Sequence, residues 1–117
     1  MWTPTRPGAV WGDAAVLTPW TLYERFADDG VLREQYDSAR GWVDQVEALA
    51  GPSRLWNTGF QLGDWLDPAA PPHDPADAKT DKYLVATAYF AWSARRLADT
   101  AAVLGRADDA ARYGSLA

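Results

Sequence analysis

The chain has no cysteine, a single histidine and no cluster of lysine or arginine. Without thiols, disulfides and thiolate chemistry are excluded, and the redox compartment cannot be read from the sequence. A lone histidine makes a histidine-based metal centre a poor reading, and His73, beside Asp74 and Asp77 in a proline-rich setting, is expected to be part of a solvated loop. The formal charge of −5 argues against a phosphate-binding surface, so nucleic acid is not an expected partner. No run of about eighteen apolar residues is available to cross a membrane. The opening "MWTPTRPGAVWGD" lacks the apolar stretch of a secretion signal. A soluble chain is expected, with cytoplasmic and secreted locations both left open.

What is abundant is tryptophan, with seven residues in 117. One modest core needs few of them, so the excess has to serve packing or a recognition surface. After a lead-in over residues 1–12, Val16, Trp20, Tyr23 and Phe26 recur at spacings of four, three and three, the stripe of a helix running from Asp13 to about Ala27. Asp13 is placed to cap it, and Pro19 is expected to kink it or shift its start. "ADDG" turns the chain into a second helix, from about Val31 to Ala50, striped by Leu32, Tyr36, Ala39, Val43, Val46 and Ala50 and stopped by Gly51-Pro52. The two form an antiparallel hairpin over residues 13–50.

Residues 51–81 show no helical period. "RLWNTGFQLGDWL" carries short apolar bursts around Asn57-Thr58-Gly59 that predict at most a small β-hairpin, and "DPAAPPHDPADAKTD" is extended. A loop of this length inside a compact domain is usually functional or disordered. Thr80 or Asp81 can cap a third helix, from about Lys82 to Leu104, with a small-residue stripe at Leu84, Ala88, Ala91, Ala94, Ala98 and Ala101. Tyr89, Phe90, Trp92 and Leu97 lie off that stripe, so this helix expects neighbours on more than one side. Gly105 closes it, and a short fourth helix completes a second hairpin over 82–117. The expected fold is all-α: two antiparallel helical hairpins joined by a long aromatic loop, as one partial domain over 1–117.

The stretches "WGDAAVLTPWTLYERFADDGVLREQYDSARGWVD", "TGFQLGDWLDPAAPP", "KTDKYLVATAYFAWSARRLADTAAVLG" and "DDAARY", taken in order and spacing, resemble the catalytic domain of bacterial α-L-rhamnosidases of glycoside hydrolase family 78. The resemblance covers nearly the whole chain from Gly8 onward. It implies a partial (α/α)6 barrel of the six-hairpin glycosidase type and cleavage of terminal α-L-rhamnose with inversion, without cofactor. That chemistry uses a carboxylic acid and a carboxylate base with room for water between them. The family's acid-bearing segment has no match before Gly8, and its base-bearing segment lies beyond "DDAARY". No catalytic residue is therefore expected in this chain, and alone it is expected to be inactive.

The resemblance does place Trp11 and Trp65 where tryptophans line the rhamnose subsite, with Asp13 and Asp64 beside them as weaker sugar contacts. For Trp11 the competing reading is packing at a helix start, and for Asp13 it is helix capping. Asp64 divides evenly between ordering its own loop and touching sugar. Trp20, Trp42 and Trp92 read as core or helix-interface residues, while Trp56 fits either a brace for the loop or the aromatic wall. The expected ligands are α-L-rhamnosides, with weak or absent binding by this chain alone, and exposed helix faces make a homo-oligomer an option. The alternative reading is a non-enzymatic helical interaction module of tetratricopeptide type, although no 34-residue repeat recurs.

Overall fold

A computed structural model of the chain describes residues 6–64 and 67–117. Four α-helices run in chain order: α1 (Ala14–Phe26), α2 (Asp29–Ala50), α3 (Lys82–Val103) and α4 (Ala107–Leu116), with a 3-10 turn at Gly51–Ser53. No strand occurs among the described residues, so the small hairpin expected around Asn57-Thr58-Gly59 does not form there. The chain instead turns at Gly59, whose φ of 79° only glycine adopts without cost.

The sequence explains each boundary. Ala27 and Asp28 alone separate α1 from α2. Ala27 takes the left-handed conformation and its N–H donates to the Tyr23 carbonyl, while the Asp28 carboxylate caps α2 by accepting from the Gly30 N–H at 2.9 Å. Pro19 neither ends nor delays α1, which runs continuously from Ala14, and the proline itself is buried. Between Thr80 and Asp81, it is Asp81 that caps α3, accepting from the N–H groups of Tyr83 at 2.7 Å and Leu84 at 3.3 Å. The far end of α3 closes with Gly105 at φ 76°, its N–H on the Ala102 carbonyl and that of Arg106 on the Ala101 carbonyl, a six-to-one turn that reverses the chain into α4.

The α2 stripe is buried as its spacing predicts: Leu32, Tyr36, Ala39, Val43 and Val46 all face inward. Each buried Leu or Val contributes about 1.5–3 kcal/mol. The exposed Arg33–Asp29 ion pair on the same helix adds at most about 0.5 kcal/mol, so packing rather than charge fixes α2. On α3 the inward seam differs from the expected one. Ala94, Ala98 and Ala101 are buried, but Leu84 is 63% exposed and Ala88 and Ala91 face out. The first half of the seam is made by Ala86, Phe90 and Ser93, because Phe90 and Leu97, seven residues apart, bury more apolar area than an alanine row can.

Helix α3 is the hub, packing against α1, α2 and α4. Helices α2 and α4 do not approach closely at the backbone and are joined by long side chains. The Tyr36 hydroxyl donates to Asp109 Oδ2 at 2.6 Å, and the Tyr113 hydroxyl donates to Asp44 Oδ1 at 2.7 Å. Arg112 bridges Asp44 at 2.9 Å and Glu47 at 2.8 Å, and the Arg106 guanidinium stacks 4.2 Å above the Tyr36 ring. Burial, then the bonded carboxylate, pushes both tyrosine hydroxyls well above their ordinary range. Burial pushes the Asp44 carboxyl up, but the Tyr113 and Arg112 hydrogen bonds outweigh it and hold the group below its ordinary value.

Candidate functional site

The long loop leaves α2 through Gly51–Ser53 and is pinned at its start. Trp56 is buried, its N–H donates to Thr87 Oγ1 on α3 at 3.0 Å, and its ring meets the Trp42 ring edge-on at 6.0 Å. Trp56 therefore braces the loop and is not part of an exposed wall. Farther on, the Asp67 carboxylate accepts from the N–H groups of Ala69 at 2.8 Å and Lys79 at 2.9 Å. Those bonds, the Lys79 one first, hold the Asp67 carboxyl below its usual range and close the proline-rich segment on itself. Asp64 and His73 are exposed. Trp65 lies outside the described residues.

At the start of α1, Trp11, Gly12 and Asp13 have three different surroundings. Trp11 is 71% exposed, so no other described residue of this chain covers most of its side chain. Gly12 sits under the Trp42 indole so closely that a Cβ there would overlap ring atoms Cη2, Cζ2 and Cζ3. Asp13 is 1% exposed and is not a side-chain cap of α1. Its Oδ1 accepts from Trp42 Nε1 at 2.9 Å and Ser93 Oγ at 2.6 Å, and its Oδ2 accepts from the Val10 N–H at 2.8 Å. The carboxylate expected beside the sugar is thus turned into the protein and shared among the lead-in turn, α2 and α3.

Val10 itself has φ 74°, a left-handed conformation that costs a β-branched residue on the order of 1–3 kcal/mol. The turn is held on its other side by Gln61, buried, whose Oε1 accepts from the Ala9 N–H at 2.9 Å, and internally by the Gly12 N–H on the Gly8 carbonyl. The result is a braced turn with one large apolar side chain projecting from it. Beside Trp11 an open depression of about 370 Å³ is bordered by Arg6, Gly8, Gly12, Trp42 and Gln45. An exposed indole offers a flat apolar face and one N–H donor, a surface suited to stacking rather than to acid–base chemistry.

The other tryptophans divide. Trp20 packs at the α1–α3 interface, 5.3 Å from the Tyr23 ring with the Arg96 guanidinium 5.6 Å above it, and Trp42 is half-buried against the core. Trp92, expected in the core or at a helix interface, is instead half exposed, 5.6 Å from Tyr89 on the outer side of α3. Sequence reasoning missed Trp42, Gln61 and Ser93 as supports of the turn. The one local sign was a glycine between Trp11 and Asp13, where only the absence of a side chain lets an indole from α2 approach. Among the described residues, no three His, Asp or Glu side chains gather as metal ligands, and no helix is long and apolar enough to cross a membrane.

Two helical hairpins joined by a long loop, with a projecting indole ahead of α1 and no strand among the described residues, make an all-α arrangement. The sequence model of the bacterial alpha-L-rhamnosidase 6 hairpin glycosidase domain matches residues 1–117, and the chain belongs to that family. It is 37% identical over 106 residues to an alpha-L-rhamnosidase of Formosa agariphila, covering 91% of this chain and 11% of the relative. It is 37% identical over 108 residues to one from Streptomyces avermitilis, covering 92% of this chain and 9% of the relative. The crystal structure of native alfa-L-rhamnosidase from Aspergillus terreus superposes with a TM-score of 0.89 at 42% identity, over 98% of this chain and 13% of that one. The chain thus spans about a tenth of the length of the curated relatives it matches. The solenoid alternative is not favoured by any of these likenesses.

Proposed function

We propose that the chain forms one part of a glycoside hydrolase that removes terminal α-L-rhamnose, and that its contribution is an aromatic wall of the sugar subsite rather than the reacting carboxylates. The observation that carries this reading is the Trp11 indole, 71% exposed on a turn braced from three sides. Rhamnose presents an apolar methyl group and C–H faces that pack on an indole, while its hydroxyls need polar partners from elsewhere. Trp65 is assigned to the same wall by resemblance, and Asp64, exposed on the adjoining loop, to a hydroxyl contact.

In the whole protein the reaction follows the inverting scheme, with one carboxylic acid protonating the leaving oxygen and one carboxylate activating water on the opposite face. This chain supplies neither group and does not turn over alone. Phe26 at 72% exposure, Leu84 and Trp92 mark helix faces that further hairpins cover in the longer protein, and that pair with a second copy when the chain is isolated. Hydrolysis of an aryl α-L-rhamnoside tests the division of labour. The chain alone gives no rate above buffer, and measurable turnover would overturn its assignment as a wall without acid or base.

A further inference from the structure

We propose that Asp13 is the positioning residue for Trp11: its buried carboxylate ties the left-handed Val10 to α2 and α3 and so fixes the direction in which the neighbouring indole projects. The inference rests on the reading of Trp11 as a sugar-stacking side chain. An aspartate serving only as a helix cap accepts from the first free N–H groups of its own helix. Here the Ala15 N–H goes to the Gly12 carbonyl and the Val16 and Leu17 N–H groups go to the Asp13 carbonyl, which leaves the carboxylate for other partners. Those partners come from three places: the Val10 N–H from the turn, Trp42 Nε1 from α2 and Ser93 Oγ from α3.

The geometry decides what this linkage does. Val10 lies one residue before Trp11 and is held at φ 74°, a conformation that relaxes unless something retains it. The bond from Val10 to Oδ2 retains it, while Trp42 and Ser93 on Oδ1 hold the carboxylate itself against two rigid helices. Gly12 permits this arrangement by letting the Trp42 ring pass beneath the chain. An amide at this position has only one acceptor oxygen and sets an N–H₂ group against either Val10 or the Trp42 and Ser93 donors. Asp13→Asn therefore breaks one arm of the linkage with almost no change of shape.

The test is fluorine NMR of the 5-fluorotryptophan-labelled chain, whose seven tryptophans give seven lines, with the Trp11 line assigned by its loss in Trp11→Phe. In Asp13→Asn the Trp11 line is expected to broaden or split while those of Trp20 and Trp92 stay in place. Ser93→Ala, which removes one donor and retains the rest, is expected to move the Trp11 line in the same sense by less. A Trp11 line unchanged in both variants would overturn the proposal. If Asp13→Asn unfolds and all seven lines collapse, Ser93→Ala decides alone. Addition of methyl α-L-rhamnoside to the parent chain separates the underlying reading: a Trp11 line that responds to Asp13→Asn but not to the sugar leaves the positioning role intact and removes the sugar role.

Discussion

Gly12 lies directly under the indole of Trp42, with no room for a β-carbon between them. A methyl group at position 12 has to displace a ring that also donates to the buried Asp13 and packs edge-on against Trp56. Gly12→Ala is expected to cost about 1–3 kcal/mol, the range for overpacking a filled site. The midpoint of urea unfolding measures it, and an unchanged midpoint would mean that Trp42 moves aside freely.

The seam between α2 and α4 makes a prediction about alkaline pH. Tyr36 and Tyr113 keep their protons to higher pH in the folded chain than in the unfolded one, because each is buried and donates to an aspartate. A group whose folded pKa is raised contributes stability below its unfolded value, about 10, and loses that contribution as pH climbs toward the folded value. The melting temperature should fall above pH of about 10, and Tyr36→Phe with Tyr113→Phe should flatten that fall. Each single change should also cost about 1–2 kcal/mol near neutrality through the lost hydrogen bond. A double variant with the parent's alkaline profile would contradict this account.

On the acid side the signs reverse. The Asp44 and Asp67 carboxyls are held below the ordinary value, so their contribution is complete above pH of about 4 and disappears as pH falls through their folded values. For Asp67 the effect is local, because its two bonds close the proline-rich loop rather than the core. Asp67→Asn should speed hydrogen exchange at the Lys79 and Ala69 amides severalfold while leaving exchange in α2 and α3 unchanged. Equal protection of Lys79 in both proteins would show that the loop is closed by something else.

The parts that were legible in the sequence and those that were not differ in the range of the interactions involved. The α2 stripe repeats every three or four residues, so Leu32, Tyr36, Ala39, Val43 and Val46 could be placed inward from spacing alone. The caps at Asp81 and Gly105 act within a few residues of themselves and were readable, Asp81 as one of two candidates, whereas Asp28 was placed only in a turn and α2 starts two residues ahead of the expected Val31. On α3 the alanines offered two small faces, and the inward one was marked by Phe90 and Leu97 instead of by the alanine row. The setting of Asp13 was hidden for a different reason. Its partners Trp42 and Ser93 are 29 and 80 residues away, and an aspartate ahead of a helix looks like a cap whether or not it is one.

The site divides in the same way. Trp11 as a recognition residue came from resemblance, and the structure adds that it is exposed on a braced turn. Asp13, offered as a weaker sugar contact, has its carboxylate buried and bonded within the chain, which is the observation behind the positioning role proposed for it.

The most direct measurement is saturation-transfer NMR between the chain and methyl α-L-rhamnoside, a method that reports weak contacts atom by atom. Transfer from the protein to the sugar's methyl and C–H protons is predicted for the parent chain. Trp11→Ala should weaken binding roughly tenfold, equivalent to loss of about 1.4 kcal/mol of aromatic contact, and reduce the transfer accordingly. Absence of transfer in the parent, or equal transfer in Trp11→Ala, would contradict the assignment of this chain as a wall of a rhamnose subsite.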